Sequence, residues 1–289
     1  MNWFFIALVC AFLTACSDAI SKRIMWENDE WTTGAVTLGI SATILAPLLL
    51  FQDLKPLSLE LILLIFISLP VEISGYYLFL SAIKMADLSL TLPLLAFTPV
   101  LTILTAALLL GESVSWMGAI GIALVTAGAY LLNGDLVNRG LLAPIAAIFS
   151  TSGCRRMLLV AFLWAFTSTL GKKGILLYGA IPYGTVLVIC IAVTLFWIAF
   201  LRSGQGIGTR NFSKRNMMVF IIGGLLMAGA QITHFISLNL APVAYMISVK
   251  RLSLVFGVIL GRVFFREENT RYRLIGAVIM VLGIFFIYD

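Results

Sequence analysis

Charge is scarce in this sequence. Only 11% of its 289 residues are Asp, Glu, Lys or Arg, while 61% are hydrophobic, against about 25% and about 45–50% in soluble domains. That composition excludes a soluble globular fold. Histidine occurs once, and the four cysteines, Cys10, Cys16, Cys154 and Cys190, have neither CxxC nor metal-ligand spacing, so no metal or resident cofactor is expected and the cysteines read as small packing residues. HExxH, a Gly-x-Ser-x-Gly elbow, a Gly-rich phosphate loop and a Walker lysine are also missing, which argues against an enzyme and against an ATP-driven machine. The net charge of +6 comes without a basic tail or a stacking surface, so nucleic acid is not an expected partner.

What the chain does contain is long apolar runs. Residues 31–52, 88–111, 113–134, 174–201 and 216–249 carry no Asp, Glu, Lys or Arg. A membrane-crossing helix needs about 20 such residues, lipid cannot satisfy open backbone groups, and no alternating barrel pattern is present. The expectation is an all-α polytopic membrane protein with ten transmembrane helices, at 3–24, 32–51, 58–80, 88–110, 114–133, 156–178, 183–201, 216–238, 243–265 and 271–288. They form one integral membrane domain, with a first five-helix unit at 1–133, a linker at 134–155 and a second unit at 156–289. The apolar part of the linker, 141–149, is too short to cross and lies among Arg139, Arg155 and Arg156, so it is expected at the membrane interface. Leu13-Thr14-Ala15-Cys16 resembles a lipoprotein cleavage box, but residues 1–9 lack Lys and Arg and the run recurs later in the chain, so cleavage is not expected.

That recurrence is part of an internal repeat. Ala11-Phe12-Leu13-x-Ala15 returns as Ala161-Phe162-Leu163-x-Ala165, and the same shift of 150 carries Lys22-Arg23 onto Lys172-Lys173 and Gly34 onto Gly184. A shift of 155 then carries Ala86 onto Ala241, Glu112 onto Glu267, Gly121 onto Gly276 and Gly128 onto Gly283. The extra five residues fall in the connection 202–215. Because each unit has an odd number of helices, the second must enter the membrane from the opposite side, giving inverted repeats around a central cavity.

Ten helices in two such halves, with Gly111-Glu112 and Arg266-Glu267 before the last span of each, resemble the drug/metabolite transporter superfamily, EamA type, over essentially the whole chain. The resemblance implies a multi-pass transporter of the cytoplasmic membrane. For orientation, with Lys22, Arg23, Lys172, Lys173, Lys250 and Arg251 left out as intramembrane candidates, connections 1–2, 3–4, 5–6, 7–8 and 9–10 with their flanking span ends hold twelve Lys and Arg, against Lys55 alone on the other side. Both termini are therefore expected outside the cytoplasm.

Charges inside spans cost roughly 2.5–3.5 kcal/mol at a helix centre and mark functional sites by default. Lys250 and Arg251 are the clearest case, since the shift of 155 maps them onto Leu95 and Ala96 in a charge-free helix. An ammonium beside a guanidinium fork suits a carboxylate or phosphate. Val249-Lys250-Arg251 also resembles the Lys-Arg pair with which plastid triose-phosphate translocators, distant relatives in the superfamily, hold phosphate; that resemblance implies an anionic group on the substrate but not a sugar phosphate. Asp18, with Lys22 four residues on, reads either as a proton-accepting cavity wall or as an i,i+4 ion pair near the membrane edge. Lys172 repeats Lys22, whereas Ser168 stands where Asp18 would be. Glu72, near Pro70, Gly75 and Tyr76, reads as a coupling carboxylate, a partner of a substrate amine, or a structural partner of Lys250 or Arg251. His234, with Gln231 three residues before it, reads as a hydrogen-bonded packing residue or as a titrating group. Pro93 and Pro99 should break the fourth helix, and Gly257-x-x-x-Gly261 permits close contact at the ninth, within the fold or between protomers.

The function expected from this pattern is secondary transport by alternating access. The substrate is a small anionic or zwitterionic metabolite, with Lys250 and Arg251 on its carboxylate or phosphate, and transport is coupled to a proton or to exchange. Asp18 and Glu72 are the candidates for proton uptake or for pairing with a substrate amine. Efflux of cationic or amphipathic drugs, with Asp18 and Glu72 as the binding groups, is the first alternative. A lipid-carrier flippase or a non-transporting membrane subunit is the second. Lipids are the only other partner expected.

Overall fold

The structure is a computed structural model that describes residues 2–56, 58–86, 91–132, 151–203, 214–265 and 270–288. The expected interfacial segment 141–149, Arg139 and the Arg266-Glu267 step lie outside those residues. Helix α1 spans Asn2–Ile24 and α2 spans Glu30–Leu45, followed by a 3-10 segment at Ala46–Phe51. Asp29 starts α2 by accepting a hydrogen bond from the Thr32 backbone N–H at 2.9 Å, satisfying one orphan donor of the first turn. α3 spans Leu59–Met85 with Ser58 as its N-cap. α4 opens as a 3-10 helix, Leu92–Ala96, and continues as an α-helix, Phe97–Leu110. Gly111 ends it at φ +67°, a left-handed position that glycine takes without a Cβ penalty. α5 spans Trp116–Leu131.

The second half follows the same plan. α6 covers Ser152–Tyr178, α7 Ala180–Ser203 and α8 Lys214–Leu240. α9 is in two pieces, Val243–Lys250 and Ser253–Phe265, and α10 is Thr270–Tyr288. α6 starts four residues before the expected span, so Ser152 to Arg155 belong to the helix. α3 and α8 differ by 155 at both ends, and the starts of α1 and α6, and of α2 and α7, differ by 150.

The ten spans are thus present among the described residues. Six of their helical stretches are each long and apolar enough to cross a membrane. α5 and the apolar part of α10 are shorter, α6 carries Arg155, Arg156, Lys172 and Lys173, and α9 is interrupted.

Glycine contacts display the inversion directly. A Cβ added to Gly121 would lie 2.5 Å from the Gly283 carbonyl oxygen, and one on Gly128 would lie 2.6 Å from that of Gly276. α5 and α10 therefore run antiparallel and touch backbone to backbone, as small residues allow. Under the repeat, Gly121 corresponds to Gly276 and Gly128 to Gly283, so the two contacts exchange with each other about a pseudo-two-fold axis. The remaining packing obeys the same symmetry. α1 lies against α8 as α6 lies against α3, and α2 against α7. Gly257, by contrast, has nothing within 4 Å of an added Cβ. Among the described residues, no close contact is made at Gly257; close contacts are made at the glycines of α5 and α10.

Breaks in α4 and α9 coincide under the repeat. The 3-10 segment of α4 gives way to α-helix at Ala96-Phe97, and α9 is interrupted at the corresponding Arg251-Leu252. Pro93 and Pro99 account for the first, because each removes a backbone donor. The second has no proline at the break. There the Arg251 N–H is shared between the carbonyls of Ile247 and Ser248, both at 3.1 Å, and Leu252 N–H donates to Val249 at 3.0 Å, a local tightening to 3-10 geometry. The ninth span, expected as one helix, is corrected to two half-helices with Lys250 and Arg251 at their junction.

Candidate functional site

The broken helices border an internal cavity. α1 contributes Thr14, Ser17 and Asp18; α3 contributes Glu72, Tyr76 and Phe79; α6 contributes Trp164, Thr167 and Ser168. From α8 come Gln231 and His234, and from the break in α9 come Lys250, Arg251 and Ser253, with α7 supplying the apolar Leu187, Val188 and Ile191. Seven of the nine candidates from the sequence, Asp18, Glu72, Tyr76, Gln231, His234, Lys250 and Arg251, line this one space.

Arg251 is buried, and its Nη2 donates to the Thr98 hydroxyl oxygen at 2.9 Å. Thr98 sits just past the break of α4, so this bond joins the two broken helices. The Arg251 Nε has no hydrogen-bond partner among the described residues. Lys250 Nζ lies 3.4 Å from His234 Nδ1. An ammonium only donates, so Nδ1 is the acceptor for a charged Lys250 and the ring proton resides on Nε2. His234 thus lies beside the Lys250 side chain on the cavity wall.

The acids face these bases without joining them. Asp18 is within electrostatic reach of Lys250 and Arg251, and Glu72 within that of Lys250. Yet the side-chain ion pairs within 4.0 Å found among the described residues are Lys84–Glu30 and Lys173–Glu60, both with exposed members. Neither the Asp18–Lys22 pair nor a direct pairing of Glu72 with Lys250 or Arg251 is formed.

The polarity of the cavity is divided by halves. Asp18 and Glu72 come from the first repeat; His234, Lys250 and Arg251 come from the second. Their repeat counterparts are Ser168, Met227, Phe79, Leu95 and Ala96, all uncharged. One wall is therefore acidic and the facing wall basic, on a frame that is otherwise two-fold.

Lys22 and Lys172 are placed differently from the other candidates. Lys172 is buried, and its Nζ donates to the carbonyls of Leu238 at 2.5 Å, Asn239 at 3.2 Å and Ala241 at 3.0 Å. It caps the C-terminal end of α8. Lys22 makes the repeat-equivalent contact, to the Ala86 carbonyl at the end of α3, at 3.4 Å. Glu112 completes the second turn by accepting from the Val243 N–H at 2.8 Å, a carboxylate at the start of α9. Glu112, Thr98, Ser17 and Thr167 were not among the sequence candidates. For Ser17 and Thr167 a signal existed, because a shift of 150 maps one hydroxyl onto the other.

Inverted repeats whose discontinuous helices meet at the centre, with ionisable side chains in the space between them, define a secondary transporter. No metal-holding cluster of His, Cys, Asp or Glu occurs among the described residues. The family model of the EamA-like transporters matches residues 1–134 and 151–289, and the chain belongs to that family. It is accordingly a multi-pass membrane transporter and not an enzyme. No protein of curated function matches it significantly. A solved structure titled "Crystal structure of protein" is similar over 100% of this chain and 98% of its own, with TM-score 0.77 and 16% identity, a likeness of fold.

Proposed function

We propose that this transporter carries a small zwitterionic or anionic metabolite across the cytoplasmic membrane by alternating access, with its acid group on Lys250 and Arg251. The observation behind this reading is the division of the cavity into an acidic wall from one half and a basic wall from the other, with no ion pair across it. Charges held apart in a low-dielectric space keep their attraction for a ligand rather than spending it on each other. A substrate with an acid at one end and an amine at the other matches both walls. Asp18 and Glu72 then bind the amine or take up the proton that drives the cycle. With no ATP site in the sequence, a gradient or an exchanged substrate supplies the work. Both termini face away from the cytoplasm on the positive-inside count.

The test is counterflow in proteoliposomes against phosphorylated, carboxylated, zwitterionic and cationic metabolites, comparing wild type with Arg251→Ala and Glu72→Gln. Uptake of an acid or zwitterion that Arg251→Ala abolishes supports the assignment. Uptake of cations alone, lost in Glu72→Gln and kept in Arg251→Ala, would replace it with cation efflux. A C-terminal reporter active only in the cytoplasm would reverse the orientation.

A further inference from the structure

The charged side chains are not the only polar groups aimed into the cavity. Ser17 and Thr167 are buried, 1% and 4% exposed; the Ser17 hydroxyl has no hydrogen-bond partner among the described residues, and the Thr167 hydroxyl has none but the Glu72 carboxylate beside it. The Tyr76 hydroxyl is buried and unpartnered as well. All three residues line the cavity. A buried polar group left unsatisfied is costly, so these hydroxyls together mark a place where something else supplies the missing partners.

The chemistry of that partner follows from what a hydroxyl can do. Each donates one hydrogen and accepts through its lone pairs, whereas an ammonium only donates and an ionised carboxylate only accepts. Ser17 adjoins Asp18, Tyr76 is within electrostatic reach of Asp18, and Thr167 lies beside Glu72. The two carboxylates already offer an amine all the acceptors it needs. Hydroxyls beside them are complemented by a group that both donates and accepts. Ser17 and Thr167 are also repeat counterparts, one contributed to the cavity by each half.

We infer that Ser17, Tyr76 and Thr167 form a subsite for an uncharged hydrogen-bonding group of the substrate, a hydroxyl or a carboxamide, so that the transporter selects polar zwitterions over apolar ones of equal size. This rests on the zwitterion reading above and narrows it.

Matched pairs of probes test it in proteoliposome counterflow: L-threonine against L-valine, which have the same shape and differ by hydroxyl for methyl, and L-serine against L-alanine. The expected result is a preference of about tenfold or more for the hydroxylated member in wild type, since a site built to bond a hydroxyl rejects the analogue that lacks it. In Thr167→Val and Ser17→Ala that preference falls several-fold, with thermal unfolding in detergent reporting that the variants are folded. Tyr76→Phe, which removes only the hydroxyl, gives an independent third variant. Equal uptake of both members by wild type overturns the subsite and leaves the zwitterion reading standing. A preference that survives in all three variants overturns it too. If wild type takes up no zwitterion or acid at all, the functional reading falls and the subsite with it.

Discussion

Arg251 Nη2 and Thr98 Oγ1 are 2.9 Å apart, and they belong to the broken helices of opposite repeats. The bond fixes a guanidinium whose Nε has no hydrogen-bond partner among the described residues. Hydrogen bonds to charged groups contribute about 1.5–3 kcal/mol. Thr98→Val should therefore weaken substrate binding by roughly 10- to 100-fold while the chain still folds, and Thr98→Ser should recover most of the loss. Substrate-dependent thermal shifts in detergent check this; an unchanged affinity in Thr98→Val would show that Arg251 needs no positioning.

The His234–Lys250 contact predicts a graded series. His234→Phe places in α8 the residue found at the counterpart position, Phe79, and removes the acceptor at 3.4 Å from Lys250 Nζ. His234→Asn retains an acceptor near the place of Nδ1. Counterflow of an acidic substrate should show KM raised several-fold in the first variant and little altered in the second. If both variants behave as wild type, Lys250 is oriented by something else.

Lys172 and Lys22 should act on stability rather than on affinity. Lys172→Met breaks three bonds to the α8–α9 turn, and Lys22→Met removes the repeat-equivalent bond to the Ala86 carbonyl at 3.4 Å. A loss of about 1.5–3 kcal/mol is expected for the first. Thermal unfolding measures the loss, and titration of the purified variants measures whether substrate affinity stays within about twofold. A selective fall in affinity would return Lys172 to the substrate site.

Two glycines should respond oppositely to alanine. A Cβ at Gly128 meets the Gly276 carbonyl at 2.6 Å, while one at Gly257 meets nothing within 4 Å. Gly128→Ala must separate α5 from α10 and should cost about 1–3 kcal/mol. Gly257→Ala should be neutral or slightly stabilising, through the helix preference of alanine. Comparing the two unfolding temperatures decides the matter directly.

Most of the architecture was legible in the sequence because lipid leaves so few choices. Charge-free runs mark spans, and the shifts of 150 and 155 gave the helix correspondences that α3 and α8 reproduce at both ends. Intramembrane charges also led to the cavity, since burying Asp18, Glu72, Lys250 or Arg251 is too costly without a purpose. The break in α9 was not legible, because no proline marks it; only its alignment with the proline-containing α4 could have suggested it. The capping role of Lys172 was hidden for another reason. A lysine in a span reads the same whether its ammonium faces a ligand or the carbonyls of a neighbouring helix end. Neutral residues such as Thr98 gave no signal by composition, since their role depends on which helix lies opposite.

The separation of charge between the halves has a consequence for ancestry. A symmetric dimer of the first half would enclose two copies each of Asp18 and Glu72 and no cation at the Leu95-Ala96 positions. A dimer of the second half would enclose paired lysines, arginines and histidines with no acid. Neither could present opposite charges to the two ends of one molecule. Two copies joined in one polypeptide are free to differ from each other, and that freedom is what a ligand with unlike ends requires.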